Sequence, residues 1–252
     1  MEKEAKNRII VALDVDSVDK AIALVKELDP HVGYFKIGLE LIYTILASLI
    51  MAKDEADATE ILKKVRELFD LTKERTFIDT KLADIPNTIA GASKAIAKIG
   101  VKMFNIHASI GREAVKQAVA NKGNSLVLGV TVLTSINEEE CISIFGDKPA
   151  VKIVKFANML VEAGADGIIC SPQELKILND FPELKKLVKV IPSVRPEWAL
   201  KGDQKRVMTP GEAIKFGADY LVIGRPITKP PAEIGSSVDA TKKITEEIEK
   251  AI

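Results

Sequence analysis

Residues 76–106 read TFIDTKLADIPNTIAGASKAIAKIGVKMFNI. A short apolar run, Thr76–Ile78, leads into polar Asp79 and Lys81. A helix-like stretch, Thr88–Ile99, follows, and a second apolar run covers Met103–Ile106. Strand, helix, strand is the unit of a parallel sheet, because parallel neighbours need a crossover between them. The same alternation continues in both directions. Further apolar runs lie at Ile9–Leu13, Tyr34–Ile37, Leu126–Leu133, Gly167–Cys170, Val188–Ile191 and Tyr220–Ile223. Most are near-continuously apolar, as strands covered on both faces should be. Helix-like segments fall between them at Val18–Leu28, Ile61–Leu71, Arg112–Asn121, Lys152–Ala163 and Gly211–Phe216.

Ser17 is placed to cap the first helix, and Thr209-Pro210 to open a later one with proline at its first position. Gly164 and Gly217 sit where helices should stop, each followed by Ala-Asp and a strand. Eight strand–helix units predict an α/β fold, a closed (β/α)8 TIM barrel forming one domain over residues 1–252. An open doubly wound sheet is the alternative, but no GxGxxG follows the first strand. The stretch Leu39 to Glu74 is long for one helix, and Met51–Thr59 reads as an inserted, solvated turn.

Composition narrows the partners. Lys plus Arg and Asp plus Glu are 36 each, so no net field favours nucleic acid or an anionic membrane. Any anion must be caught locally. Cys141 and Cys170 lack CxxC neighbours, which argues against a metal or disulfide framework and for a reducing cytoplasm. No apolar run approaches a membrane span, and Met1 to Arg8 is charged where a signal peptide would be apolar.

In a barrel, chemistry gathers at the C-terminal ends of the strands. Those ends carry Asp14, Lys36, Asp79, Lys81, Asn105, His107, Thr134, Ser135, Pro192, Ser193, Arg195, Gly224 and Arg225. Asp79 and Lys81 are two apart, so they share a face, and Lys36 approaches from the neighbouring strand. With Asp84 they predict an alternating Lys-Asp-Lys-Asp network in which each charge keeps its neighbour ionised. The bland reading is a network that only supports the barrel. A Schiff-base role for Lys81 is opposed by its flanking acids, which hold the amine protonated. Gly224, Arg225 and the loop holding Gln204 form a second constellation, suited to phosphate. Lys205 and Arg206 read as solvated loop charges, His107 as a hydrogen-bonded structural residue, and Trp198 as loop packing.

The run Asp79-Thr80-Lys81-Leu82-Ala83-Asp84-Ile85-Pro86-Asn87-Thr88 resembles the DxKxxDIxNT signature of the orotidine 5'-phosphate decarboxylases. Further matches include residues 11–14 (VALD), 35–38 (FKIG), 105–108 (NIHA), 130–135 (VTVLTS), 202–207 (GDQKRV) and 217–227 (GADYLVIGRPI). The resemblance implies decarboxylation of orotidine 5'-phosphate to uridine 5'-phosphate without a cofactor or metal. It implies a catalytic set of Lys36, Asp79, Lys81 and Asp84. Asp14 and Lys36 would bind ribose hydroxyls, Asp79 would face the substrate carboxylate, and Lys81 would protonate C6. Ser135 would read the pyrimidine, with Pro192 also in the binding set. Gln204 and Arg225 would hold the phosphate, aided by backbone near Gly224. A homodimer is implied, with Asp84 and Thr88 reaching into the partner's site.

The chain departs from the family in having Pro192-Ser193-Val194-Arg195 where Pro-Gly-Ile-Arg is common, and in the length of residues 39–74. Two other readings stand beside this one. A metal-dependent sugar-phosphate decarboxylase or aldolase of the same superfamily shares DxKxxD but wants an acid where Lys36 stands. A non-catalytic phosphate-binding barrel would be expected to have lost part of the charged set.

Overall fold

The computed structural model describes residues 4–199 and 208–252. Eight parallel strands close in sequence order into a barrel, with the eighth pairing back onto the first. The strands are β1 (Ile9–Ala12), β2 (Tyr34–Gly38), β3 (Thr76–Leu82), β4 (Met103–His107), β5 (Leu126–Val130), β6 (Gly167–Ile169), β7 (Val188–Ile191) and β8 (Tyr220–Ile223). Helices α1 (Val18–Leu28), α2 (Leu39–Ile50), α3 (Glu55–Thr72), α4 (Pro86–Ile99), α5 (Arg112–Ala120), α6 (Glu138–Phe145) and α7 (Pro149–Ala163) join the first six strands. The short α8 (Leu175–Asn179) and α9 (Pro210–Lys215) precede β7 and β8. After β8 come α10 (Arg225–Thr228) and α11 (Ser237–Glu249). The barrel expected from the alternating pattern is therefore the fold observed.

Period-two alternation divides each strand between two cores. Ile9, Val11, Phe35, Ile37, Ile78, Phe104, Ile106, Val127, Ile168 and Leu221 belong to the cluster that also holds the buried faces of the helices. Ile10, Phe77, Met103, Leu128, Val130, Ile169, Val190 and Tyr220 form a separate cluster that fills the barrel. Tyr34 meets Tyr220 edge-on across this interior, with ring centres 5.2 Å apart. One step further along the inward faces, the sequence turns polar. Lys36 follows Tyr34 by two, Asp79 follows Phe77 by two, and Asn105 follows Met103 by two. The apolar layer is thus the floor on which a charged layer stands.

Three local expectations need correction. Residues 51–59 are not a nine-residue turn. Asp54 caps α3 by accepting from the Asp57 backbone N–H at 2.9 Å, so Glu55 and Asp57 are first-turn acids of a helix. Residues 39–72 form a helical hairpin whose turn is only residues 51–54. β5 ends at Val130 and does not reach Leu133. Pro86, at the first helical position, starts α4 two residues before Thr88.

Candidate active site

β2, β3 and β4 supply the centre of the site. Gly38 pairs in register with Asp79, which sets the end of β2 beside the upper half of β3. The β3–β4 register then shifts between Ile78 and Leu82, and Lys81 has φ of 48°. A lysine in left-handed backbone at a strand irregularity is strained, and such strain persists only where the surroundings hold it. Here Asn105 holds it. Its Oδ1 accepts from the Lys81 backbone N–H at 2.7 Å, while its Nδ2 donates to Asp79 Oδ1 at 2.7 Å. Asn105 is fully buried, and one side chain fixes both the bulge and the carboxylate.

The charges form a chain. Lys36 Nζ lies 2.9 Å from Asp14 Oδ1 and 3.2 Å from Asp79 Oδ2, and Lys81 Nζ lies 2.6 Å from Asp79 Oδ1. Burial would raise the pKa of the Asp79 carboxyl, but Lys36, Lys81 and the Asn105 amide outweigh it and hold the group below its usual range. Burial likewise works against the Lys36 ammonium, yet Asp79 and Asp14 keep its pKa above the ordinary value. Lys36 is nearly sealed, with 9% of its side chain exposed, whereas Lys81 keeps 33% and faces the opening. Gly38 makes this packing possible. A Cβ there would stand 2.7 Å from Lys36 Nζ and 3.1 Å from Asp14 Oδ1.

Asp84 does not join this network within the chain. It lies beyond β3, exposed, with its Oδ1 accepting from the Ile85 backbone N–H at 2.7 Å. The second acid of the network is Asp14. Thr88 is also exposed, on the first turn of α4. His107 is half-buried at the end of β4. Burial first, and then the nearby Lys81 ammonium, lower its pKa, and among the described residues its ring makes no hydrogen bond.

Two cavities open above the charges. A small one of about 150 Å³ lies directly over Lys36, Asp79, Lys81 and Asn105, walled by Val130, Val132, Ile169, Pro192 and Val222. A larger one of about 540 Å³ runs from Asp14, Lys36 and Asp79 past Pro192 to Gly224 and Arg225. Together they make a cleft with a charged floor, an apolar side and a cationic far end. Ser135 is exposed and lines a neighbouring space of about 700 Å³ with Glu138 and Glu174, outside the lining of the cleft itself. Thr134 and Ser193, whose hydroxyls are 3.3 Å apart, stand between the two. Gln204, with Gly202, Lys205 and Arg206, lies outside the described residues. Trp198 packs against the main core.

A family model described as orotidine 5'-phosphate decarboxylase / HUMPS family matches residues 7–235. The chain belongs to that family. An orotidine 5'-phosphate decarboxylase of Syntrophomonas wolfei is 40% identical, over 98% of this chain and all of the relative. One from Gloeothece citriformis is 41% identical, over 96% and 97%. The crystal structure of orotidine 5'-phosphate decarboxylase from Lactobacillus acidophilus superposes with a TM-score of 0.73 at 30% identity, covering 95% of this chain and 98% of that one.

Asn105 and Gly38 are the residues whose importance the sequence reading understated. Both stood in matched segments, but their work is to position other groups. The available signal for Asn105 was its place two residues beyond an inward Met103.

Proposed function

We propose that the protein decarboxylates orotidine 5'-phosphate to uridine 5'-phosphate, using its own side chains and no metal. The observation that carries this is the Lys81 ammonium at 2.6 Å from Asp79, facing the small cavity. When the bond between C6 and the carboxylate breaks, carbon dioxide leaves and the electron pair stays on C6. No adjacent carbonyl can delocalise that pair, so a fixed cation must stabilise it. A preorganised charge in a water-poor site is the strongest way to do so. The Lys81 ammonium then transfers a proton to C6 and is reprotonated from solvent. Asp79 aims the amine through their 2.6 Å contact, and would face the carboxylate that departs.

The rest of the cleft fits the remaining parts of a nucleotide. Asp14 and Lys36 would take ribose hydroxyls, and Gly224 and Arg225, with Gln204, the phosphate. Ser135 would meet the pyrimidine once its loop moved toward the cleft. The Lys36 ammonium fills the space between Asp14 and Asp79, where a metal-dependent relative would need a divalent cation. This favours the metal-free reaction over a sugar-phosphate lyase.

The second copy implied by Asp84 and Thr88 has support on the surface. Ile85, beside Asp84, is 66% exposed, and Leu39, Tyr43, Leu46 and Ile50 make an uncovered apolar stripe along α2. Among the described residues no helix is long and apolar enough to cross a membrane. A cytoplasmic enzyme is the natural context for two free buried thiols.

The test is to follow loss of orotidylate absorbance on adding enzyme, with and without EDTA. Turnover that survives EDTA is expected. Turnover abolished by EDTA, or absent altogether, would overturn the proposal.

A further inference from the structure

Ser193 holds a strained backbone that a glycine would avoid. It follows Pro192 at the exit of β7 and has φ of 60°. Left-handed backbone is costly for any residue with a Cβ, whereas glycine, common here in the family, takes it freely. The surroundings hold the strain on both sides. Pro192 has a fixed φ, Val194 is buried in the main cluster, and the Arg195 backbone N–H donates to the Met208 carbonyl at 3.1 Å. Glycines apart, the described residues with positive φ are Lys73, Lys81 and Ser193. At Lys81 the strained backbone aims a side chain of the site. Ser193 stands at the mouth of the cleft, and its side chain is aimed as well.

The Ser193 hydroxyl lies 3.3 Å from that of Thr134, and among the described residues neither side chain makes another hydrogen bond. Thr134 and Ser135 are the central residues of a tight turn, closed by the Ile136 N–H on the Leu133 carbonyl at 3.0 Å. Both ends of this loop are fixed. Thr131 donates its backbone N–H and its hydroxyl to the Ile169 carbonyl, each at 3.1 Å. Asn137 caps α6 and exchanges hydrogen bonds with Glu140. The tip between those ends is tied across the mouth through Thr134. That residue lines the spaces of about 700 and 150 Å³, and Ser193 lines those of about 700 and 540 Å³, so the pair borders all three. Both residues are exposed, so water can satisfy either hydroxyl and the bond adds little to folding.

We propose that Ser193 is a positioning residue: its hydroxyl braces the Thr134 turn at the mouth of the cleft, and the strained backbone aims it there. This rests on the reading that the cleft takes a nucleoside phosphate. With Thr134 tied, the turn is set before the ligand arrives, so binding does not have to order it. Ser135 then has a fixed neighbour about which to turn. Neither hydroxyl takes part in bond breaking or proton transfer, so the brace acts on binding and leaves the chemical step alone.

The experiment measures uridine 5'-phosphate affinity by calorimetry, orotidylate kinetics and melting temperature. The proteins are wild type, Ser193→Ala, Ser193→Gly, Thr134→Val, Thr134→Ser and the Ser193→Ala/Thr134→Val double variant. Ser193→Ala and Thr134→Val are each expected to weaken the nucleotide and raise KM about fivefold, the size of one hydrogen bond, with kcat within about twofold. The double variant should lose no more than either single one, because both break the same bond. Thr134→Ser keeps the hydroxyl and should bind as wild type does. Ser193→Gly relieves the backbone, so it should melt higher than wild type and still bind about fivefold less well. If wild type turns over orotidylate but Ser193→Ala binds the nucleotide as wild type does, or the single losses multiply in the double variant, the brace is refuted while the decarboxylase reading stands. If wild type binds no nucleotide, both fall together.

Discussion

Asp79 and Asp166 are both carboxylates tied to lysine, at opposite ends of the same barrel. Asp166 precedes β6, where strands begin. Lys122 Nζ lies 2.5 Å from its Oδ1, and its Oδ2 accepts from the Val127 backbone N–H at 2.8 Å. Asp219 repeats this before β8, accepting from the Lys189 backbone N–H at 2.8 Å. These acids tie strand entrances together through main chain. Asp79 stands where strands end, and its partners are all side chains: Lys36, Lys81 and Asn105. A carboxylate satisfied by backbone stabilises the frame. One satisfied by side chains leaves those side chains poised toward a cavity, as expected of the two ends of such a barrel.

The largest effect should come from Asp79→Asn. The amide cannot hold two ammonium groups, so kcat/KM for orotidylate should fall at least about a hundredfold. A loss of under about threefold would make Asp79 a structural acid like Asp166. Next is Gly38→Ala, which introduces a methyl group 2.7 Å from Lys36 Nζ. The flexible lysine end can retreat, so the fold should survive. The retreat breaks the pair with Asp14, and an expected drop of about tenfold in kcat/KM would read out that displacement. Unchanged kinetics would show that Lys36 needs no fixed place.

Asp166→Asn should do the reverse. Urea unfolding should lose about 1–3 kcal/mol, with kcat held within about twofold. A variant with normal stability and damaged turnover would erase the distinction between the barrel's ends.

The smallest effect concerns a third carboxyl, Glu174, just past β6. It accepts from the Ser171 N–H at 2.8 Å and has no cation paired with it among the described residues. Burial pushes it up from 4.5 to about 8, opposite in direction to Asp79. Between those values the folded state binds more protons at this site than the unfolded state. Its contribution to stability therefore falls as pH rises from about 4.5 to about 8. Glu174→Gln should gain in melting temperature over wild type across that window, and the gain should level off above it. A constant difference from pH 5 to pH 9 would contradict this.

The fold was legible because buried parallel strands leave continuous apolar runs, and all eight were visible. The charged floor was legible too, since Lys36, Asp79 and Lys81 fall on inward positions. What escaped is what period two cannot describe. Lys81 reaches Asp79 through a bulge with positive φ, not through simple alternation. Asp84 looked like a fourth member of its own chain's network because it lies only three positions past Lys81, but the chain has already left the strand at Leu82. The acidic cluster at residues 54–57 resembled a solvated loop, although acids after an Asp cap equally mark a helix start.

The most direct test of the account is Lys81→Ala, assayed for orotidylate turnover and for uridine 5'-phosphate binding on the same preparation. The account predicts that kcat falls by at least about a thousandfold while nucleotide affinity stays within a few-fold, because the group acts on charge that appears only as carbon dioxide leaves. A variant that turns over within about tenfold of wild type would contradict it.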